Sequence, residues 1–360
     1  MIAWYACNSS AAGTNEPKKS APKSGKSTPA SKRAHATKIV TGPLYATRPE
    51  ALAAADEIAQ KLQIDSGWVR QAIGQAHRMP GIARAAAPPP VGTPKNWTIY
   101  RSRFIDAVRI RAGVQFWQAH RTTLERAEQE FGVPASIVVG VIGVETIYGQ
   151  QTGTYRVMDA LCTLAFDFPQ EHPRAAERAA FFRSELEAFL KLTHRTGTEP
   201  LALRGSYAGA MGLPQFMPSS WDKYAIDFDG DARVDLFLSA ADVIGSIANY
   251  FKAFQWQRGM ATHYPVRFNM DTLDKARLLA PDILPSFSPA AFAALGVELE
   301  PDAQRHPGPL ALVELQNGNA PPIYLAGTDN FYAITRYNWS SYYALAVIEL
   351  GQAVADAMPK

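Results

Sequence analysis

The sequence predicts a mainly α chain carrying one small antiparallel β lobe, an α+β architecture, and three observations lead there. Apolar side chains recur at helical spacing through most of residues 46 to 260. Short alternating runs, HYPVRFN, ALVELQN, PPIYLAG and FYAITRY, cluster between about 261 and 337 and read as antiparallel strands. A helical pattern, SSYYALAVIELGQAVADAM, then closes the chain. With 360 residues, 47% hydrophobic and 19% charged, there is enough material for a sizeable core in two or three lobes, and no apolar run after the N-terminus approaches membrane-spanning length.

Residues 1 to 45 form a leader. They are rich in Ser, Pro, Ala, Lys and Thr and hold too few large apolar groups to offset the entropy of ordering them. Residues 1 to 38 carry seven Lys/Arg against Glu16 alone, a net of +6 that leaves −3 for the rest of a chain whose total is +3. A slightly acidic folded part offers no footprint for nucleic acid. Cys7 follows a short apolar run, resembling the processing site of bacterial lipoprotein signal peptides, but only six residues precede it and none of them is basic. Either the start is truncated or the cysteine is incidental. The second cysteine, Cys162, sits in an apolar stretch and reads as a small core residue, so no disulfide is expected.

Helical patterns run through 46 to 130: PEALAAADEIAQKLQ, then DSGWVRQAIGQA with Asp65 or Ser66 as its cap, then, beyond a proline-rich loop, residues 100 to 131. The region from 131 to 260 opens on VPASIVVGVIGVETIYG, residues 133 to 149, a core helix that Pro134 can open and Gly149 can close. It holds one carboxylate, Glu145, near its last turn. Apolar surroundings disfavour the ionised form, raise the pKa and make such a group a general acid by environment. The alternative is that Glu145 emerges at the helix end and pairs with a base such as Arg156.

Two further helices, RVMDALCTLAF and ERAAFFRSELEAFLKL, precede GSYAGAMGLPQFMPSSW at 205 to 221. Its small residues, glycines and prolines suit a loop that admits close backbone approach, as a binding groove requires. Pro218 allows a helix to restart, and another follows at about 239 to 257. Between them DFDGDARVD puts Asp227, Asp229 and Asp231 where an EF-hand-like loop presents oxygens to Ca²⁺. Ala232 replaces the usual Gly and Leu238 the bidentate Glu, with Asp242 available to close the shell. An acidic turn capping the next helix is the competing reading.

Taken together, VPASIVVGVIGVET, GSYAGAMGLPQFMPSS, the DFDGD loop with ADVIGSIANYF, and FYAITRYNWSSYYAL resemble the membrane-bound lytic murein transglycosylase B family of bacterial cell-wall enzymes. The likeness runs from about residue 40 to the C-terminus. It implies a lysozyme-like catalytic core and peptidoglycan as substrate. It also implies Glu145 as the single catalytic acid and base, and Ser206 and Gln215 lining the groove beside it. Tyr337, Asn338 and Tyr343 around the TRYN motif, together with Tyr250 and Tyr100, would make further groove contacts. The family's loop binds a structural calcium ion, which supports Asp227, Asp229 and Asp231, with Asp242 or Asp235 as the additional acid; no catalytic cofactor is implied.

The reaction so implied cuts the β-1,4 bond between N-acetylmuramic acid and N-acetylglucosamine and leaves a 1,6-anhydromuramic end without consuming water. A hydrolytic muramidase and a non-catalytic peptidoglycan-binding protein are the rival readings. The substrate's location argues for the periplasm, with Cys7 as a lipid anchor to the outer membrane if it is processed. A monomer is expected, with glycan strands and cell-wall synthesis proteins as partners.

Overall fold

The computed structural model describes residues 41–87 and 94–359. Residues 1–40 of the leader, Cys7 among them, and residues 88–93 of the proline-rich loop lie outside the described residues, and the expected leader boundary at 45 is too late, because Tyr45 is buried in the core and donates to Asp167.

The helix Ala135–Thr146 is the centre of the main core. Ten of its twelve residues are buried, so it is enclosed on all sides rather than amphipathic. The C-terminal helix Ser341–Asp356 packs along it more closely than side chains would allow. A Cβ on Gly140 would meet Val347 O at 2.2 Å, and one on Gly351 would meet Ser136 O at 2.0 Å. Glycine at those two positions therefore lets the backbones touch. The helices Ala107–Ala119 and Arg121–Phe131 cover other sides of the central helix. Val157–Phe166 pairs with the long helix Ala175–Thr196, and Cys162 is buried there as expected of a core residue.

The central helix starts where Pro134 predicts and stops before Gly149. Pro134 is its N-cap, while Ile147 and Tyr148 take left-handed φ of 51° and 54° ahead of Gly149 at 88°. Tyr148 N donates to Ile142 O and Ile147 N to Gly143 O, a Schellman-like closure that satisfies the last carbonyls. Thr146 then ties the turn down, its Oγ1 accepting from Gly149 N and donating to Leu213 O.

Strands β1 (Tyr155–Arg156) and β2 (Arg204–Gly205) form a short antiparallel pair that no sequence pattern announced. In the β lobe, β3 (His263–Phe268), β4 (Val297–Leu299), β5 (Ala311–Asn317) and β6 (Ala320–Gly327) make a four-stranded antiparallel sheet in the order β4-β3-β6-β5. β5 and β6 join as a hairpin through Gly318 at φ 64°, as Gly318 and Asn319 lead one to expect. The lobe has its own small core around Leu278, Phe292, Val297, Leu310 and Leu312.

One expected strand is a helix. FYAITRY lies in the helix Asp329–Tyr337, capped by Thr328 Oγ1 accepting from Asn330 N. Its buried Phe331 and Ile334, three residues apart, follow the helical repeat, and Thr328 with Asp329 is a helix-start signal. Among the described residues, no single helix is long and apolar enough to cross a membrane.

Candidate active site

Glu145 is the penultimate residue of the central helix, so the left-handed break at Ile147 leaves its side chain at the edge of the core. It is half-buried and lines a cavity together with Gln215, Phe216, Tyr250, Tyr337 and Asn338. Its carboxyl has a face on the cavity while protein surrounds the rest. Desolvation pushes its pKa up to about 7, opposed by a hydrogen bond from Tyr343. The Tyr343 hydroxyl donates to Glu145 Oε1 at 2.6 Å. The ion-pair alternative is not realised: Arg156 is held by Asp159 at 2.7 Å, and Glu145 has no ion pair among the described residues.

Tyrosines build the wall behind the carboxylate. Tyr337 stacks on Tyr343 with ring centroids 6.2 Å apart and planes 14° from parallel, and its hydroxyl donates to Pro214 O. Tyr250 packs against Phe216 and Tyr337 and donates to Arg336 O at 2.6 Å. Burial raises the pKa of all three hydroxyls. They therefore stay protonated donors, each committed to an acceptor of the protein, while Tyr250 and Tyr337 also line the cavity.

Gln215 also lines the cavity, held in a left-handed conformation at φ 50°, with Nε2 donating to Gly212 O at 2.9 Å and Thr152 O at 3.1 Å. A glutamine at positive φ is strained backbone retained at a site. Two predicted residues fall elsewhere. Ser206 is buried, and its Oγ accepts from Ala208 N and Ala210 N, which fixes the turn of the GSYAGAMG loop. Tyr100 belongs to the helix Trp97–Ser102 and packs on Trp97, Phe104 and Tyr342, one layer behind Tyr343.

Several lining residues were not singled out by sequence. Glu185, in the helix Ala175–Thr196, is only 2% exposed and also faces this cavity. Its Oε2 accepts from Ser219 N at 2.9 Å and its Oε1 from Ser219 Oγ at 2.6 Å. Desolvation raises its pKa as well. Met217, Ser219, Arg336 and Trp339 also line the cavity. Met217 and Ser219 lie inside the quoted GSYAGAMGLPQFMPSS motif and Arg336 and Trp339 inside FYAITRYNWSSYYAL, so the signal was present there; Glu185 looked like one more acid on an amphipathic helix.

The acidic loop gathers Asp227, Asp229 and Asp242, each offering a carboxylate oxygen within 4.8 Å of the others. Asp242 is 1% exposed, its oxygens accepting from Phe228 N and Asp235 N at 2.7 Å each. Its pKa is raised by burial first and then by the charges of Asp229 and Asp227. None of the three has an ion pair among the described residues. Helix capping does not explain them, because Ser239 Oγ caps the helix Ala240–Ala253. Asp231 stands outside the trio, with Oδ1 accepting from Arg233 N, and Asp235 Oδ1 accepts from Phe237 N and Leu238 N. Converging hard oxygens without a cationic side chain fit a calcium ion.

Comparison with known proteins identifies the family. The transglycosylase SLT domain family matches residues 47–352. Membrane-bound lytic murein transglycosylase B of Escherichia coli (strain K12) is 39% identical over 321 residues, covering 87% of this chain and 84% of that protein. The crystal structure of soluble lytic transglycosylase SltB1 from Pseudomonas aeruginosa superposes with a TM-score of 0.76 at 39% identity, covering 86% of this chain and 99% of that one. Escherichia coli lytic transglycosylase Slt35, solved in complex with calcium, gives a TM-score of 0.74 at 37% identity over 89% of this chain and 96% of that one. With the family matched across most of its length and relatives of this identity on the same fold, the chain belongs to the SLT-domain lytic transglycosylases and is an enzyme of that family.

Proposed function

We propose that the protein cleaves the β-1,4 bond between N-acetylmuramic acid and N-acetylglucosamine in peptidoglycan and closes a 1,6-anhydro ring, with Glu145 as acid and then base. The observation that carries this reading is the carboxyl of Glu145, raised to about 7 beneath an aromatic cavity and held by Tyr343. A group with that pKa can give a proton to the leaving oxygen and, once ionised, accept another near neutrality. In the second half the acceptor takes the proton of the muramoyl C6 hydroxyl, whose oxygen attacks C1. No water enters the product. The substrate's own N-acetyl group would stabilise the cationic centre between the two steps.

Hydrolysis by a muramidase is the second reading, and Glu185 is the observation that favours it, since glycoside hydrolysis ordinarily uses two carboxylates. Both of its oxygens already accept hydrogen bonds from Ser219, which supports a structural task instead. Digestion of purified sacculi with mass analysis of the products tests the choice. Anhydromuramic ends are expected; reducing ends heavier by one water would overturn the proposal, and intact strands would favour a protein that only binds.

Asp227, Asp229 and Asp242 would hold a structural calcium ion, whose charge offsets three carboxylates brought together. Asp231, expected from the loop spacing, is the weaker candidate because it stands outside the trio whose oxygens lie within 4.8 Å of one another. Substrate chemistry puts the enzyme in the periplasm, where the membrane-bound relative's name is in keeping with an anchored form.

A further inference from the structure

Resting on the peptidoglycan reading above, we propose that Arg336 determines specificity by receiving a carboxylate carried by the muramoyl residue of the substrate. Muramic acid differs from glucosamine by a lactyl ether. Its carboxyl is either free or joined to a stem peptide that bears carboxylates of its own. A site that reads muramoyl units therefore has an anion to recognise.

Arg336 lies at the end of the helix Asp329–Tyr337, next to Tyr337, and lines the cavity that holds Glu145. Its guanidinium carbon lies 5.4 Å from the Phe254 ring centre, 5.8 Å from Tyr332 and 5.4 Å from Trp339. Three rings thus surround the group. Rings of this kind engage a guanidinium through its π-system and take up none of its N–H donors as an acid would, and that N–H fork is the part that binds a carboxylate in bidentate fashion.

That fork has no acidic partner. Arg336 forms no ion pair among the described residues, whereas Arg156 and Arg195 are each held by an aspartate. Arg336 is also the one cation among the described residues lining the cavity. The two carboxyls there, Glu145 and Glu185, form no ion pair with it: Glu145 accepts from Tyr343 and Glu185 from Ser219. An unpaired cation lining the cavity is complementary to an anionic ligand. A mere strut between aromatic rings would have the same stacking without any preference for charge.

The test compares kcat/KM for wild type, Arg336→Ala and Arg336→Gln on three glycan preparations. These are strands with stem peptides, the same strands with their carboxyls amidated, and strands stripped of peptide so that only the lactyl carboxylate remains. Thermal midpoints check folding, and Arg336→Gln keeps much of the packing while removing the charge. On strands with free stem peptides, losing a charge-assisted pair should lower kcat/KM about 10- to 100-fold, chiefly through KM. On amidated strands the wild-type advantage should collapse toward parity. A loss confined to peptide-bearing strands assigns the contact to a stem carboxylate, and a loss on stripped strands as well shows that the guanidinium also takes the lactyl carboxylate once it is free. Equal losses on amidated and free strands would overturn the proposal. Failure of the underlying reading looks different: wild type itself would release no anhydro ends from any preparation.

Discussion

Tyr343 Oη donates a 2.6 Å hydrogen bond to Glu145 Oε1, joining the C-terminal helix to the end of the central helix across 198 positions of sequence. The bond is possible because Gly140 and Gly351 let those helices approach backbone to backbone. Packing and chemistry are therefore one feature here: the contact that closes the core also sets the acid.

Tyr343→Phe should raise the Glu145 pKa further, because the hydroxyl favours the ionised carboxylate and its removal leaves burial unopposed. The falling, alkaline limb of the pH dependence of kcat/KM should then move to higher pH. The rate at the optimum should drop about tenfold or more, since the carboxylate that must later accept a proton loses a charge-assisted donor. A full pH profile of both proteins is the measurement. A limb that stays in place would remove Tyr343 from this role.

Glu145→Gln should abolish turnover and stabilise the protein in a pH-dependent way. The folded-state pKa is about 7, against 4.5 for an unperturbed glutamate. Below the lower value both folded and unfolded chains hold the proton, and the site carries no penalty. Between the two values the unfolded chain has released it and the folded one has not, so stability falls as pH rises. Above about 7 the full cost persists, on the order of 3 kcal/mol for a shift of this size. Glutamine has no such titration. The variant's melting temperature should therefore match wild type at about pH 4 and exceed it at about pH 8. Equal gains at both values would mean that charge burial is not the cause.

Much of this site could be read from the chain, and what could not has a physical reason. A carboxylate in an apolar helix is visible because it breaks a local pattern, and the hairpin of β5 and β6 is visible because Gly318 and Asn319 mark its turn. FYAITRY misleads since its aromatic and β-branched residues favour strands, while Thr328 and the spacing of Phe331 and Ile334 make it a helix. Tyr343 as the partner of Glu145 is a tertiary fact that spacing along the chain does not encode. In the acidic loop, residues two apart all look like ligands, yet the carboxylates that gather are those of Asp227, Asp229 and Asp242, the last from the first turn of the following helix, and that meeting is tertiary.

Calcium should raise the melting temperature of the wild type, and chelator should lower it again. The three carboxylates of Asp227, Asp229 and Asp242 repel one another, and an ion bound only by the folded state adds stability by mass action. Asp242→Asn should abolish the calcium-dependent shift, whereas Asp231→Asn should leave most of it. Scanning fluorimetry with and without the ion measures both. A variant of Asp231 that loses the whole response would restore that residue to the ligand set.

Glu185→Gln separates the two carboxyls of the cavity. The substituted amide can still accept from Ser219 N through its carbonyl and can donate to Ser219 Oγ through its NH₂, so the start of the helix Pro218–Tyr224 should keep its place. If Glu185 only holds that segment, the variant should retain lytic activity within about tenfold of wild type and yield the same anhydro ends. Glu185→Ala should do worse, because it removes both acceptors from the half-buried Ser219 N–H and hydroxyl, at a cost of about 1 kcal/mol or more. Product mass and rate for both variants decide the matter. Were Glu185→Gln as inactive as Glu145→Gln, the cavity would hold a working pair of carboxyls, and the chemistry would belong to hydrolysis rather than ring closure.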